Sequence, residues 1–520
     1  MTIETDIKSI AIIGGGPAGL ASLYELLHVL KDGRSIFDIR DTTEYKLKNE
    51  LSFEEVVLFE RNSSIGGLWA RTEAGKKDNL ETKLGLPCLK KENYDDPEKF
   101  LQKIDIPVGV NNATFEKPIE TINDFFEDES NCRWSGSGIY EGLFTNVPDK
   151  YMKFSYSSDS DSDSAKTKNY PKLNNLSPFE QVTATLEEVV SDNHLEPHIR
   201  LNTSVELVVK RGDKWVVTLK NTINSSSICK WYTQEFDAIV IANGKSIPLI
   251  PFIPGLKNFY EKFSRKIDIR HSKTISNPAN FVEKGKILFI GGNISAIDLI
   301  QYCFPRNLDP ASIFVSRKNE TNSTSSEWVN ILGYSYGIKR KPEISKFNDN
   351  GDIIFSDGTI ESNFDSIIFC TGYHMHYPFL DDKERNFLKR ANDFYLHTFS
   401  PHDPTLALVG NLFTAFYFNR AEASAAAIAG VWSGFKKLPP KNEQIEWIKF
   451  KAPSKYPIWD VKEQFIKNLL EYAPNGRKNP LDIIDKQDDY IKEFNIAHQT
   501  LIKIFLDLKE NLYSPKDIYI

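Results

Sequence analysis

Twice along this 520-residue chain an apolar run ends in glycines and turns at once into a helical pattern. Residues 9–15 (SIAIIGG) lead into 17–30 (PAGLASLYELLHVL), and 286–292 (KILFIGG) lead into a second helical stretch. Two further runs, 236–244 (FDAIVIANG) and 364–372 (FDSIIFCTG), echo one another. Unbroken Ile/Val runs, without the alternation of a half-exposed strand, are the pattern of strands buried on both faces, as in a parallel sheet covered by helices. The spacing predicts an α/β fold with two Rossmann-like dinucleotide-binding units. The expected division is a first segment at 1–242, an inserted unit at 243–371, and a second segment with C-terminal helices at 372–520.

The first bend, Gly14-Gly15-Gly16-Pro17-Ala18-Gly19, fits GxGxxG. Gly14 allows the tight turn, Gly16 lets a pyrophosphate approach, and Gly19 lets helix and strand pack closely. The helix N-terminus then offers N–H groups and a positive partial charge to that pyrophosphate. The next strand (residues 56–60, VVLFE) ends in Glu60, a carboxylate suited to ribose hydroxyls. Gly66-Gly67-Leu68-Trp69 follow, and a second glycine approach beside an aromatic favours FAD over NAD here.

The second bend, Gly291-Gly292-Asn293-Ile294-Ser295-Ala296 followed by Asp298, has Asn293 where the middle glycine would stand. Asparagine tolerates unusual backbone angles, so the turn is expected to survive. The following strand ends in Ser316-Arg317-Lys318 rather than an acid. A cation at that place suits a 2′-phosphate, hence NADPH.

The net charge of -7 argues against nucleic acid as the main partner, which would require a basic face. No zinc-like or CxxC pair occurs among the five cysteines, read as reduced packing residues. There is no signal-peptide pattern at the start and no apolar run of transmembrane length. A cytoplasmic protein is expected, with room for peripheral contact with the endoplasmic reticulum and for a homodimer. Metal spacing is absent among the histidines, and His374 and His376 are expected at the surface. Residues 178–190 read as a helix and 199–221 as a hairpin turning at Gly212. Residues 31–55 and 71–135 read as irregular insertions, the SSDSDSDS tract as a disordered loop, and the last 85 residues as mainly helical.

The motifs together resemble the flavin-containing monooxygenases, especially the fungal and plant branches, over residues 9–435. GGGPAG is similar to their FAD fingerprint, and FERNSSIGGLW to the ribose acid and glycine pair. LFTNVPDKYMKF (143–154) resembles the threonine-asparagine motif, and GKSIPLIPFIPG the linker after the first glycine strand. His271-Ser272, GGNISAID and FCTGY follow in the family's order. Phe263 and His271 stand too far apart for the FxGxxxH signature, and Ser424 stands where many members have glutamine.

The resemblance implies FAD and NADPH as cofactors. NADPH would reduce the flavin, which with O2 forms a C4a-hydroperoxide that oxygenates a soft nucleophile. Asn146 would be the catalytic residue near flavin and nicotinamide, Arg317 would hold the 2′-phosphate, and Thr371 and Gly372 would line the cofactor site. The expected activity is S- or N-oxygenation of a small thiol or amine, of the N,N-dimethylaniline monooxygenase type. The rivals are a Baeyer–Villiger or N-hydroxylating relative and a flavin-binding regulatory protein without oxygenating activity.

Overall fold

The computed structural model describes residues 6–36, 50–70, 105–122, 137–157, 170–222, 228–281, 285–304, 312–318, 327–381, 393–410, 412, 414–450, 461–484, 487–512 and 514–519. The chain opens with β1 (Ser9–Ile13), α1 (Pro17–His28) and β2 (Glu55–Phe59). Then come β3 (Ile119–Ile122), α2 (Phe179–Asp192), β4 (Ile199–Arg200), β5 (Thr203–Arg211), β6 (Lys214–Thr222), β7 (Ile228–Phe236) and β8 (Ala238–Ile241). A middle stretch carries β9 (Ile247–Pro248), α3 (Leu256–Phe263), β10 (Asp268–His271), β11 (Ile287–Ile290), α4 (Ile294–Ile300), β12 (Ile313–Ser316), α5 (Glu327–Gly333) and β13 (Ile338–Lys341). It ends with β14 (Ile344–Phe347), β15 (Ile353–Phe355), β16 (Ile360–Glu361), β17 (Ser366–Phe369) and β18 (Tyr373–His374). β19 (Leu406–Leu408), α6 (Tyr417–Trp432), α7 (Lys441–Phe450), α8 (Lys467–Leu470) and α9 (Gln487–Lys509) complete it.

Two parallel five-stranded sheets result, β19-β8-β1-β2-β4 and β10-β17-β11-β12-β13. Each is centred on the strand that carries a glycine bend, and the second is drawn wholly from residues between β8 and β19. The unbroken Ile/Val runs explain the layering. Ile10 and Ile12 join the core on the α1 side, and Ala11 and Ile13 join the core on the opposite face. That opposite face is covered by an antiparallel sheet, β3-β7-β6-β5. The hairpin expected around Gly212 forms its β5–β6 half. The described part of the region expected to be irregular contributes β3, because Ile119 and Thr121 pair with Trp231 and Cys229 of β7.

α1 is buried almost throughout, sandwiched between its sheet and α6. The small side chains Ala421 and Ala425 of α6 share one core with α1. α9 bridges both units: Phe494 packs in the first core, and Ala497, Leu501 and Phe505 pack in the second. His374, expected at the surface, is buried, because β18 pairs with β9 and takes it inside. The SSDSDSDS tract lies outside the described residues.

Candidate functional site

At the first bend the backbone of Gly14 takes φ 110, and its N–H donates to Phe59 O at 2.9 Å. A Cβ there would lie 2.7 Å from Ala242 O, so the turn requires glycine twice over. A methyl at Gly19 would run into Gly14 O, which fixes how closely α1 sits on β1. Pro17 is the first residue of α1, and no side chain caps the helix at Gly16. The first-turn N–H groups therefore remain available to an anion. The space above Gly16 is open but for Gly67, whose Cα would be 3.6 Å from an added Cβ.

Gly66 and Gly67 fold back onto this bend. Gly66 N–H donates to Gly15 O at 2.8 Å, and Gly67 has φ 58, with its own Cβ position 2.8 Å from Gly16 Cα. The two glycine segments thus touch backbone to backbone. Leu68 stands exposed beside them, while the Trp69 carbonyl accepts from Thr183 Oγ1 of α2. Glu60 is buried under the bend: its Oε2 accepts from Gly15 N–H at 2.6 Å and its Oε1 from Asn62 N–H at 2.8 Å. Each carboxylate oxygen keeps further acceptor capacity. Ala18 is buried and faces Gly410 after β19, where an added Cβ would lie 2.7 Å from Ala18 Cβ. Gly410 was not among the expected residues. Its signal was the aliphatic-to-glycine run LALVG, which ends as the runs through β1 and β8 do.

The second bend repeats the first with one change. Gly291 has φ 96 and donates to Ser316 O at 2.9 Å, while its notional Cβ would strike Cys370 O. Asn293 has φ -106 and ψ -165, ordinary extended backbone, so the expected tolerance of unusual angles is not what admits it. The strained position is Gly291. Asn293 instead caps α4, its Oδ1 accepting from Ile294 N–H at 2.9 Å. Ser295 is exposed and Ala296 fully buried. Arg317 lies across the bend: a Cβ on Gly292 would be 2.6 Å from its Cδ, and its Nη2 donates to Asn330 Oδ1 at 3.4 Å. A bend lacking side chains with a guanidinium laid over it fits a phosphate-bearing dinucleotide.

The remaining expected residues follow β17 or lie in the loop before α2. Thr371 Oγ1 donates to Leu249 O, and Gly372 O accepts from Leu249 N–H at 2.9 Å and from His271 Nε2 at 3.1 Å. His271 is fully buried and accepts from Lys273 N–H at Nδ1. Burial pushes it down to about 3, so it is a neutral strut carrying its proton on Nε2. Phe263 packs on Phe259, not toward His271. Asn146 is half-buried in a loop pinned on both sides. Thr145 and Ser177 exchange bonds of 2.8 and 3.0 Å, and Tyr302 OH, just beyond α4, donates to Gly142 O at 2.5 Å.

One buried cluster escaped sequence reasoning. Arg477 donates to Glu25 Oε1 at 2.6 Å and Oε2 at 3.2 Å, and to Glu422 Oε1 at 2.6 Å. Glu422 also accepts from Ser155 N–H at 2.8 Å. It therefore ties α1 and α6 to the far end of the asparagine loop. Burial holds the Glu25 carboxyl above the usual range, against the pull of Arg477. Partners 452 residues apart leave no local pattern. Among the described residues no group of three or more His, Cys, Asp or Glu could hold a metal, and no helix is long and apolar enough to cross a membrane.

Two parallel sheets, each with a strand–glycine–helix bend, form the architecture of a protein that binds two dinucleotides. Residues 330–473 match the FMO-like family, described as flavin-binding monooxygenase-like. Flavin-containing monooxygenase iboF of Amanita muscaria is 26% identical, over 84% of this chain and 81% of its own. Trimethylamine monooxygenase of a Roseovarius species is 26% identical, over 83% of this chain and 76% of its own. Among solved structures, Tmm from a Pelagibacter strain superposes with TM-score 0.63 at 19% identity, covering 96% of this chain and 93% of that one. S-allyl-L-cysteine S-oxygenase from Allium sativum gives 0.59 at 20%, covering 97% and 99%. The chain is similar to flavin-containing monooxygenases over most of its length, and its two glycine bends fit FAD and NADPH as cofactors.

Proposed function

We propose that this monooxygenase transfers one oxygen atom from O2 to the sulfur or nitrogen of a small nucleophile, as an N,N-dimethylaniline monooxygenase type of enzyme. In balance, NADPH, a proton, O2 and the substrate give NADP+, water and the oxygenated product. The observation that carries this reading is the pair of bends: one doubled by Gly67 and floored by Glu60, the other overlaid by Arg317. Relatives named for trimethylamine and for S-allyl-L-cysteine support nitrogen and sulfur as acceptors.

In this reading Gly14, Gly16, Pro17, Ala18, Gly19, Glu60, Gly67, Leu68 and Trp69 hold FAD, which supplies the redox and oxygen-transfer chemistry when bound. Gly291, Asn293, Ser295, Ala296 and Arg317 hold NADPH. The α1 N-terminus receives the FAD pyrophosphate, and Arg317 supplies the charge that selects a 2′-phosphate. Thr371 and Gly372 line the passage between the cofactors. The Asn146 side chain, on its pinned loop, orients the reacting groups and keeps water out. The units follow the division 1–242, 243–371 and 372–520.

The test is direct. Purified protein should be yellow, and should consume NADPH and O2 in equal amounts while adding one oxygen to trimethylamine or to a methyl thioether. Bound FAD with NADPH consumption but no oxygenated product from amine, thioether or ketone would refute oxygen transfer.

A further inference from the structure

Of the two glycines in the second bend, only Gly291 is required by its backbone. It takes φ 96, whereas Gly292 lies outside the left-handed region that favours glycine. Gly292 is required by a neighbour instead. A Cβ there would lie 2.6 Å from both Cγ and Cδ of Arg317 and 2.8 Å from its Nε. These atoms are the stem of one side chain rather than its mobile tip. A methyl at residue 292 could enter only by moving that stem off the bend.

Both ends of Arg317 are held as well. Its N–H donates to Lys341 O at 3.1 Å, carrying the β12–β13 pairing one residue past the strand, and Ser316 Oγ donates to Pro342 O at 2.8 Å. At the far end Nη2 donates to Asn330 Oδ1 at 3.4 Å, and Nη1 would lie 3.7 Å from a Cβ placed on Gly333. Asn330 and Gly333 belong to α5, which Trp328, Val329 and Leu332 anchor in the second core. The half-buried Arg317 thus spans from the bend to α5.

Asn330 is a neutral acceptor. An acid in its place would hold the guanidinium equally well but cancel its charge. Among the described residues Arg317 forms no ion pair, whereas the adjacent Lys318 is exposed and reaches Glu343 at 3.9 Å. Arg317 therefore offers a full positive charge in a fixed place.

We propose that Gly292 and Asn330 determine the preference for a 2′-phosphorylated dinucleotide, acting through Arg317. Gly292 vacates the slot for the arginine stem, and Asn330 holds the guanidinium without neutralising it. The inference rests on the reading that the second bend holds NADPH with its 2′-phosphate at Arg317.

The experiment titrates the oxidised, FAD-loaded protein with NADP+ and, separately, with NAD+. The two differ only in the 2′-phosphate, and neither can reduce the flavin, so the ratio of their dissociation constants isolates that group. Gly292→Ala should lower the preference for NADP+ about tenfold or more, the worth of a charged hydrogen bond. Asn330→Asp should lower it about tenfold, because a carboxylate within ~4–6 Å pairs with the guanidinium and repels the phosphate. Asn330→Leu, which loses only the acceptor, should lower it about three- to tenfold. Crowding or general damage at the bend would weaken both dinucleotides alike and leave the ratio where it was. An unchanged ratio in either Gly292→Ala or Asn330→Asp, while Arg317→Ala still lowers it, overturns this proposal alone. Should Gly292→Ala fail to fold, the Asn330 variants, altered at a half-buried helix position, decide the matter. A ratio that Arg317→Ala leaves unchanged removes the 2′-phosphate from Arg317, and this proposal falls with that reading.

Discussion

Replacing Arg477 by methionine removes the cation that bonds two buried carboxylates, Glu25 and Glu422. The Arg477 side chain is 7% exposed, Glu25 1% and Glu422 0%, so water cannot take over the lost contacts. Breaking a buried ion pair by deleting one partner costs about 3–5 kcal/mol. With an unfolding entropy of ~2.1 cal/mol/K per residue, a chain of this length loses about 3–5 °C in melting temperature for that cost. The pH dependence gives the sharper test. Glu25 is already held above the ordinary carboxylate range in the folded protein. A carboxyl raised on folding contributes stability while protonated, and loses it as pH climbs from the ordinary value through the folded one. Removing Arg477 removes the main influence lowering Glu25, so its folded value rises further and the loss widens. The variant's deficit should therefore be largest at about pH 8 and shrink toward about pH 5. Adding Glu25→Gln should recover part of it at the higher pH. Thermal melts of the FAD-loaded protein across this range check both points. An equal deficit at both ends, or none, would refute the assignment of a strained buried triad.

Three further outcomes are expected. Arg317→Ala should weaken NADPH binding by about 10- to 100-fold, the worth of a charged hydrogen bond, and leave NADH nearly unchanged in parallel titrations; equal losses would remove Arg317 from the 2′-phosphate. Gly67→Ala places a methyl 2.8 Å from Gly16 Cα at a φ of 58, and should release FAD, read as loss of yellow colour on gel filtration. Asn146→Ser should keep FAD but raise the hydrogen peroxide formed per NADPH consumed; unchanged coupling counts against Asn146.

The parallel layering was legible because Ile10–Ile13 and Ile287–Ile290 are apolar without a break, the pattern of strands covered on both faces. The bends were legible because Gly14 and Gly291 need φ values that other residues resist. Asn293 was found but explained wrongly: what matters there is the helix cap, which side-chain geometry decides. β3 was missed because a four-residue strand takes its register from β7, more than a hundred residues away. His374 was misplaced for the same reason, its burial depending on pairing with β9. Arg477 was not singled out, since nothing local in the sequence marks it as buried.

The ordering of the first sheet also bears on synthesis. A ribosome releases β1, α1 and β2 within the first sixty residues, yet β1's other neighbour, β8, ends at Ile241, and α6 begins only at Tyr417. A nascent chain therefore carries the apolar flank of α1 uncovered through most of translation. Chaperone capture should concentrate on that early segment, and flavin should be acquired only after release.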